Sequence, residues 1–207
     1  MAVKVYSEFE RLLTGVENFA TFATKITEAI DRYVNQALYE AMITVGDTLG
    51  TQWYKTSAID DSTKETLRTL CMDVSMATGK EVVIMGTRAA LGSVYDLNNV
   101  EWASGDMKNE KYTTGKFGFW DGIRLVELKQ SFKLNDTTQY AVANDVLFVM
   151  PVDAEPMLKL VYEGDTQMYS VQDAGTHMDM TYTQELQMKL GVAVITNQKF
   201  GVWKIVK

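Results

Sequence analysis

From residue 16 to residue 49, apolar side chains return every three or four positions: Phe19, Phe22, Ile26, Ile30, Tyr33, Ala37, Ala41 and Val45. That period puts them on one stripe of an α-helix. Glu17, Lys25, Glu28, Asp31, Arg32, Gln36 and Glu40 occupy the other side, and Gly46 and Gly50 mark the end. Such a helix is about 45 Å long, a spine rather than an ordinary three-turn element.

A second helix is expected from Asp60 to Gly79. Ser62 and Glu65 have capping-box spacing, and Leu67, Leu70, Cys71, Val74 and Ala77 form its apolar stripe. Gly79 suits a left-handed C-terminal residue. Residues 81–85 (EVVIM) are short and apolar, predicting a buried strand, and a helix follows at once from Gly86 to Leu91. The polar stretch 98–114 reads as an exposed loop. Gly115, Gly118 and Gly122 interleave with Phe117, Phe119 and Trp120 before an apolar run. Glycines so placed mark tight turns and close backbone approach. Strands are predicted at 122–129 and 145–150, with a polar loop over 130–144. Pro151 and Pro156, the only prolines, close the second strand.

The remainder alternates. Leu158, Leu160 and Tyr162 are interleaved with Lys159, Val161 and Glu163. Residues 178–196 keep the same period, with Gly191 as a candidate bulge. A turn at Asn197-Gln198 predicts that this run and Phe200–Val206 form a long antiparallel hairpin. Helices and strands are segregated rather than alternating, so the fold class is α+β.

The chain has 207 residues, 46% hydrophobic and 23% charged, enough for a sizeable core without staples. Its net charge of −7 and lack of any Lys/Arg run make it a poor phosphate-backbone binder. A single cysteine, Cys71, excludes an internal disulfide; it sits in the apolar stripe and reads as core. No stretch approaches the roughly 18 apolar residues of a membrane span, and the charged N-terminus is not a signal peptide.

Reaction chemistry is sparse. His177 is the only histidine, so neither a Cys–His pair nor a zinc site is expected. Asp47 with Glu40, and Asp60 with Asp61, read as capping and solvated acids. Gly86, Thr87 and Arg88 open a helix directly after a strand, where anions bind, but they lack a P-loop or dinucleotide fingerprint. Twelve methionines, six of them in the C-terminal third (Met150, Met157, Met168, Met178, Met180, Met188), suit core filling or adaptable contacts. Among the tryptophans, Trp102 in the polar loop reads as an interface anchor and Trp203 as core; Trp53 and Trp120 could be either.

Taken together, residues 78–91, Gly115–Leu128 and Asp145–Gly164 resemble the major capsid protein of tailed bacteriophages, whose fold is shared with encapsulins. The resemblance covers residues 16–207. It implies a long spine helix, an axial α/β domain and a peripheral β layer. The corresponding boundaries are an arm remnant at 1–15, the spine helix at 16–58, the axial domain at 59–150 and the β layer at 151–207. It further implies a non-enzymatic virion protein that self-assembles into an icosahedral shell around the phage genome. Pentamers and hexamers of itself would be its partners, with scaffold, portal and maturation protease besides. Assembly would occur in the host cytoplasm, with weak contact to packaged DNA, no membrane partner, no metal and no cofactor. Self-association is expected through Trp102, Met107, Tyr112, Phe119 and Trp120. The family usually carries a longer N-terminal arm and an extended β-loop ahead of the spine helix, where this sequence has about fifteen residues; either the chain is trimmed or engineered or those elements are absent, and no cross-linking lysine carries over. The competing readings are an α+β anion- or nucleotide-binding or enzymatic domain centred on Arg88, and another phage head or tail protein.

Overall fold

The computed structural model describes residues 2–8, 10–11, 14–15, 18–97, 109, 113, 118–133, 136–153, 155–172, 181–197 and 199–206. The spine helix, α1, runs Phe19–Thr48. It starts at 19 because Asn18 caps it: the Asn18 Oδ1 accepts from the Thr21 N–H at 2.9 Å and the Thr21 hydroxyl at 3.0 Å. The chain divides into two compact units, residues 1–38 with 158–193, and residues 39–157 with 194–207.

The larger unit is built on a sheet of β2 (Tyr54–Ser57), β3 (Val82–Gly86), β4 (Phe119–Trp120), β5 (Ile123–Glu127), β8 (Val146–Pro151) and β11 (Gly201–Ile205). The strand order is β2-β11-β8-β3-β5-β4. Helix α2 (Lys64–Thr78) packs on β8, β11 and β3, and α3 (Arg88–Asp96) on β3, β5 and β8. Strand β8 is apolar almost without interruption because both of its faces are covered; Val146, Leu147, Phe148 and Val149 are all buried. Leu67, Leu70, Cys71 and Val74 of α2 follow helical spacing onto this core. Ala90, Leu91, Val94 and Tyr95 of α3 enter the same core, with Trp120 and Trp203 filling its largest spaces. The Trp203 indole N–H donates to the Ser57 carbonyl at 3.1 Å, so the ring is buried without a polar cost.

Three local expectations change. Ser62 and Glu65 do not form a capping box: the helix begins at Lys64, Thr63 has helical dihedrals and no side-chain cap bond. Instead Asp60 gathers the Ser62 hydroxyl at 2.5 Å and the Ser62 and Thr63 N–H groups in a local turn, while Glu65 pairs with Arg68. The stretch 130–144 is not all loop, because β6 (Phe132–Lys133) and β7 (Asp136–Tyr140) pair antiparallel within it. The last hairpin does not form. β11 pairs antiparallel with β8 and parallel with β2, whereas the run before it belongs to another sheet. The reason is burial. Gly201, Val202 and Trp203 are buried in succession, which suits a strand inside a sheet and not the edge of an alternating hairpin.

The smaller unit holds a three-stranded sheet ordered β1-β10-β9, from β1 (Ala2–Glu8), β9 (Leu158–Gln172) and β10 (Thr181–Val194). β1 lies antiparallel to β10 with Val3 opposite Leu186, Lys4 opposite Glu185 and Ser7 opposite Tyr182. Alternation is visible in β1, where Val3 and Ser7 are buried while Lys4, Tyr6 and Glu8 are exposed. The left-handed backbone in this sheet falls at Gly164 (φ 76°), not at Gly191.

Gly86 ends β3 because a Cβ there would meet the Leu147 Cδ2 at 2.6 Å. Gly86→Ala should therefore destabilise the chain by about 1–3 kcal/mol, the range for overpacking a filled core. Urea unfolding of the variant measures it, and shortening Leu147 to Val in the same chain should return part of the loss.

Candidate self-association surfaces

The outer edge of the larger sheet is shaped by a two-residue turn. Asp121 (φ 50°) and Gly122 (φ 79°) both adopt left-handed dihedrals, the signature of a type I′ hairpin between β4 and β5. The turn is tied to α2 by Arg68, whose Nε donates to the Asp121 Oδ2 at 2.6 Å and whose Nη1 donates to the Glu65 Oε1 at 2.5 Å. The Arg68 guanidinium holds the Asp121 carboxyl below the usual carboxylate range.

Adjacent residues of a strand point to opposite faces. Trp120 therefore goes inward, at 1% exposure, and Phe119 outward, at 61%. This corrects the expectation for Trp120: it is a core residue with no free surface for a partner. Phe119 keeps its candidacy, on the face it shares with the opposite Arg124. Trp102, Met107 and Tyr112 lie outside the described residues, as does His177.

A second aromatic feature was hidden in the polar segment. Phe132 of β6 and Tyr140 of β7 stack with ring centres 5.5 Å apart and planes 16° from parallel, and both are about half exposed. Gln130 locks the base of this hairpin. Its amide N–H group donates to the Val142 carbonyl at 2.8 Å and the Asn144 Oδ1 at 2.6 Å. Its amide oxygen accepts from the Ser131 and Val142 N–H groups. Four bonds from one side chain present the aromatic pair on a fixed frame. The expected methionine cluster divides: Met157 is buried, Met168 is exposed, and Met178 and Met180 lie outside the described residues. Met72 and Met76, one turn apart on α2, are also exposed. That signal was legible as two methionines off the apolar stripe.

Thr87 caps α3 through its own hydroxyl, which accepts from the Ala90 N–H, and Gly86 is accounted for by its packing on Leu147. Among the described residues no three His, Cys, Asp or Glu side chains gather as a metal ligand set. The recess beside the end of α1 is lined by Thr48, Thr51, Gln52, Trp53, Thr196 and Lys199, among others, with no acid–base pair. Burial, with the Asp121 charge second, pushes the Cys71 thiol up to about 12. No helix among the described residues is long and apolar enough to cross a membrane.

Two outcomes are expected. Cys71 should resist an aromatic disulfide reagent at pH 8 in the native protein and react at once in urea, since the reactive thiolate is scarce and covered. The Asp121–Arg68 pair has a depressed folded-state pKa. Its stabilisation is present above the unfolded value near 3.9 and lost as pH falls through the folded value. Arg68→Met should remove that acid-dependent component, a small one because both partners are partly solvated. Urea titrations of both chains at pH 7 and pH 3 read the difference.

A family model described as "SPbeta prophage-derived putative capsid protein YonB" matches residues 1–204. No curated protein matches the sequence. Among solved structures, the asymmetric unit of the bacteriophage PhiM1 mature capsid aligns with a TM-score of 0.61 at 12% identity, covering 100% of this chain and 71% of that one. The satellite phage P4 procapsid, which includes the size determination protein, aligns at 0.64 with 8% identity, covering 100% and 70%. The encapsulin SrpI complex of Synechococcus elongatus aligns at 0.54 with 10% identity, covering 99% and 72%. At such identities the likeness establishes the fold, an α+β architecture shared by phage capsid proteins and encapsulins. The family match carries the rest: the chain belongs to the YonB capsid-protein family and is a structural protein of a virion shell.

Proposed function

We propose that copies of this chain associate into a closed icosahedral shell around a phage genome, and that the chain contributes geometry and no catalysis. The observation that carries this reading is the family match over residues 1–204, joined to exposed aromatics on rigid supports at Phe119 and at Phe132 with Tyr140. Rigid aromatic anchors lose little conformational entropy when they dock, which makes them efficient contact residues. Individual contacts can be weak, because closure of a symmetric assembly multiplies them through effective concentration.

In this reading the larger unit, with Phe119, the segment 98–114 and the paired strands β6 and β7, surrounds a symmetry axis. The smaller unit and the spine helix serve neighbouring rings. Trp102, Met107 and Tyr112 are further contact residues. Assembly takes place in the host cytoplasm, with scaffold, portal and maturation protease as additional partners. The net charge of −7 keeps contact with packaged DNA slight.

Electron microscopy of the purified full chain tests the proposal directly. Rings of five or six, or closed particles, are the expected result; monomers alone at high concentration, with or without crowding agent, would count against it. Phe119→Ser should reduce particle yield severalfold at fixed protein concentration while leaving the melting temperature within about 2 °C, as befits an exposed residue. An equal loss of yield and stability would place Phe119 in the fold and not the contact.

A further inference from the structure

We propose that two copies of this chain join edge to edge through β9, extending the three-stranded sheet to six strands about a two-fold axis at Val161; this rests on the shell reading above.

β9 is an outer strand in the order β1-β10-β9, so among the described residues one of its sides pairs with no strand, and its regular stretch runs from Leu158 to the left-handed Gly164. A long open edge of this kind is a template for another strand, and soluble proteins usually blunt it with proline, clustered lysine or brevity. β9 has none of these. It contains no proline and one lysine, Lys159. Val161, Tyr162, Met168 and Tyr169 are exposed along it.

Symmetry selects the partner edge. Adding an antiparallel strand while keeping the faces of the sheet aligned requires a half-turn about the sheet normal. A half-turn is a two-fold operation, so the contact is isologous and β9 meets β9 of the second copy.

Charge selects the register. Lys159, Val161 and Glu163 alternate onto one face, and Glu163 already pairs with Lys189 of β10 at 2.6 Å. When the axis passes through Val161, Lys159 of each copy stands opposite Glu163 of the other, and Leu160 stands opposite Tyr162. The result is a cross-strand row of alternating sign, Lys189–Glu163–Lys159, repeated on both sides of the axis. Opposite charges and apolar pairs facing each other across strands are favourable, and like charges are not. Moving the axis to residue 160 sets Lys159 opposite Val161. Moving it to 162 sets Glu163 opposite Val161. Moving it to 163 sets the two glutamates against each other. The complementarity belongs to β9 with itself, which is why the occupant is a second copy and not an unrelated strand. Gly164, with its left-handed backbone, ends the regular stretch just beyond Glu163.

Cysteine cross-linking of the full chain reads this register. Across the axis the two Val161 Cα atoms would be about 4.5 or 5.5 Å apart, depending on the pair type, within disulfide reach. Val161 is exposed, so Val161→Cys should fold, and buried Cys71 does not compete. Under mild oxidation Val161→Cys should give covalent dimer as the main product. Tyr169→Cys, on the same strand but far from the axis, and Tyr6→Cys, on the opposite edge of the sheet, should stay monomeric on denaturing gels. Lys159→Glu in the Val161→Cys background should cut dimer yield severalfold. Adding Glu163→Lys and Lys189→Glu should restore it, because all pairs are then reversed together. Equal cross-linking by all three cysteines, or none at Val161, overturns the proposal, as does cross-linking through Tyr6→Cys alone. Particles seen by microscopy without the Val161 cross-link would spare the shell reading and sink this one. Val161 dimers that never progress to rings or particles would do the reverse.

Discussion

Strand β8 can exist only if both of its faces are kept dry, and most of the larger unit follows from that requirement. Its run of buried Val146, Leu147, Phe148 and Val149 needs partners on each side in the sheet and covering layers above and below. β3 and β11 supply the hydrogen bonds, α2 and α3 cover the face that carries Leu147 and Val149, and the end of α1 at Gly46 packs on Val202 beside Phe148 on the other. Gly86 and Gly201 are small where they are because leucine side chains, Leu147 and Leu70, occupy the space a Cβ would take. Trp203 and Trp120 then fill what remains; removal of either ring would cost about 3–5 kcal/mol by the usual scale for aromatic truncation.

The surface inherits its stiffness from that core. Phe119 projects outward because Trp120 is anchored inward, and the turn beyond them is fixed by Asp121, Gly122 and Arg68. The Phe132–Tyr140 pair likewise stands on a hairpin whose base is closed by Gln130. In both places a buried or bonded residue next door determines which way an aromatic ring faces. Under the proposed self-association, contacts that are already oriented lose less entropy when copies meet.

Much of the fold could be read along the chain, since strong periodicity marks α1, α2 and the two strands flanking each buried run. The positions that were misread share a cause: their environment is set by residues distant in sequence. Ser62 and Glu65 had capping spacing, but Asp60 and Arg68 offered their side chains better partners. The Asn197-Gln198 turn invited a hairpin, yet continuous burial of Gly201, Val202 and Trp203 could be met only between β8 and β2. The paired strands of 132–140 were concealed by polar composition, with Phe132, Leu134 and Tyr140 as the few apolar hints. For the candidate surface, alternation in the dipeptide Phe119-Trp120 already said that one ring faces in and the other out; which one it was depended on the α2 layer above.

The place of β11 in the sheet has a bearing on when this subunit becomes competent. Strand β11 comes after the whole of β9 and β10 in sequence, yet it sits between β2 and β8. A nascent chain lacking it would leave both neighbours with open edges and the Trp203 site vacant. Translation must therefore run past Ile205 before the sheet of the larger unit can close.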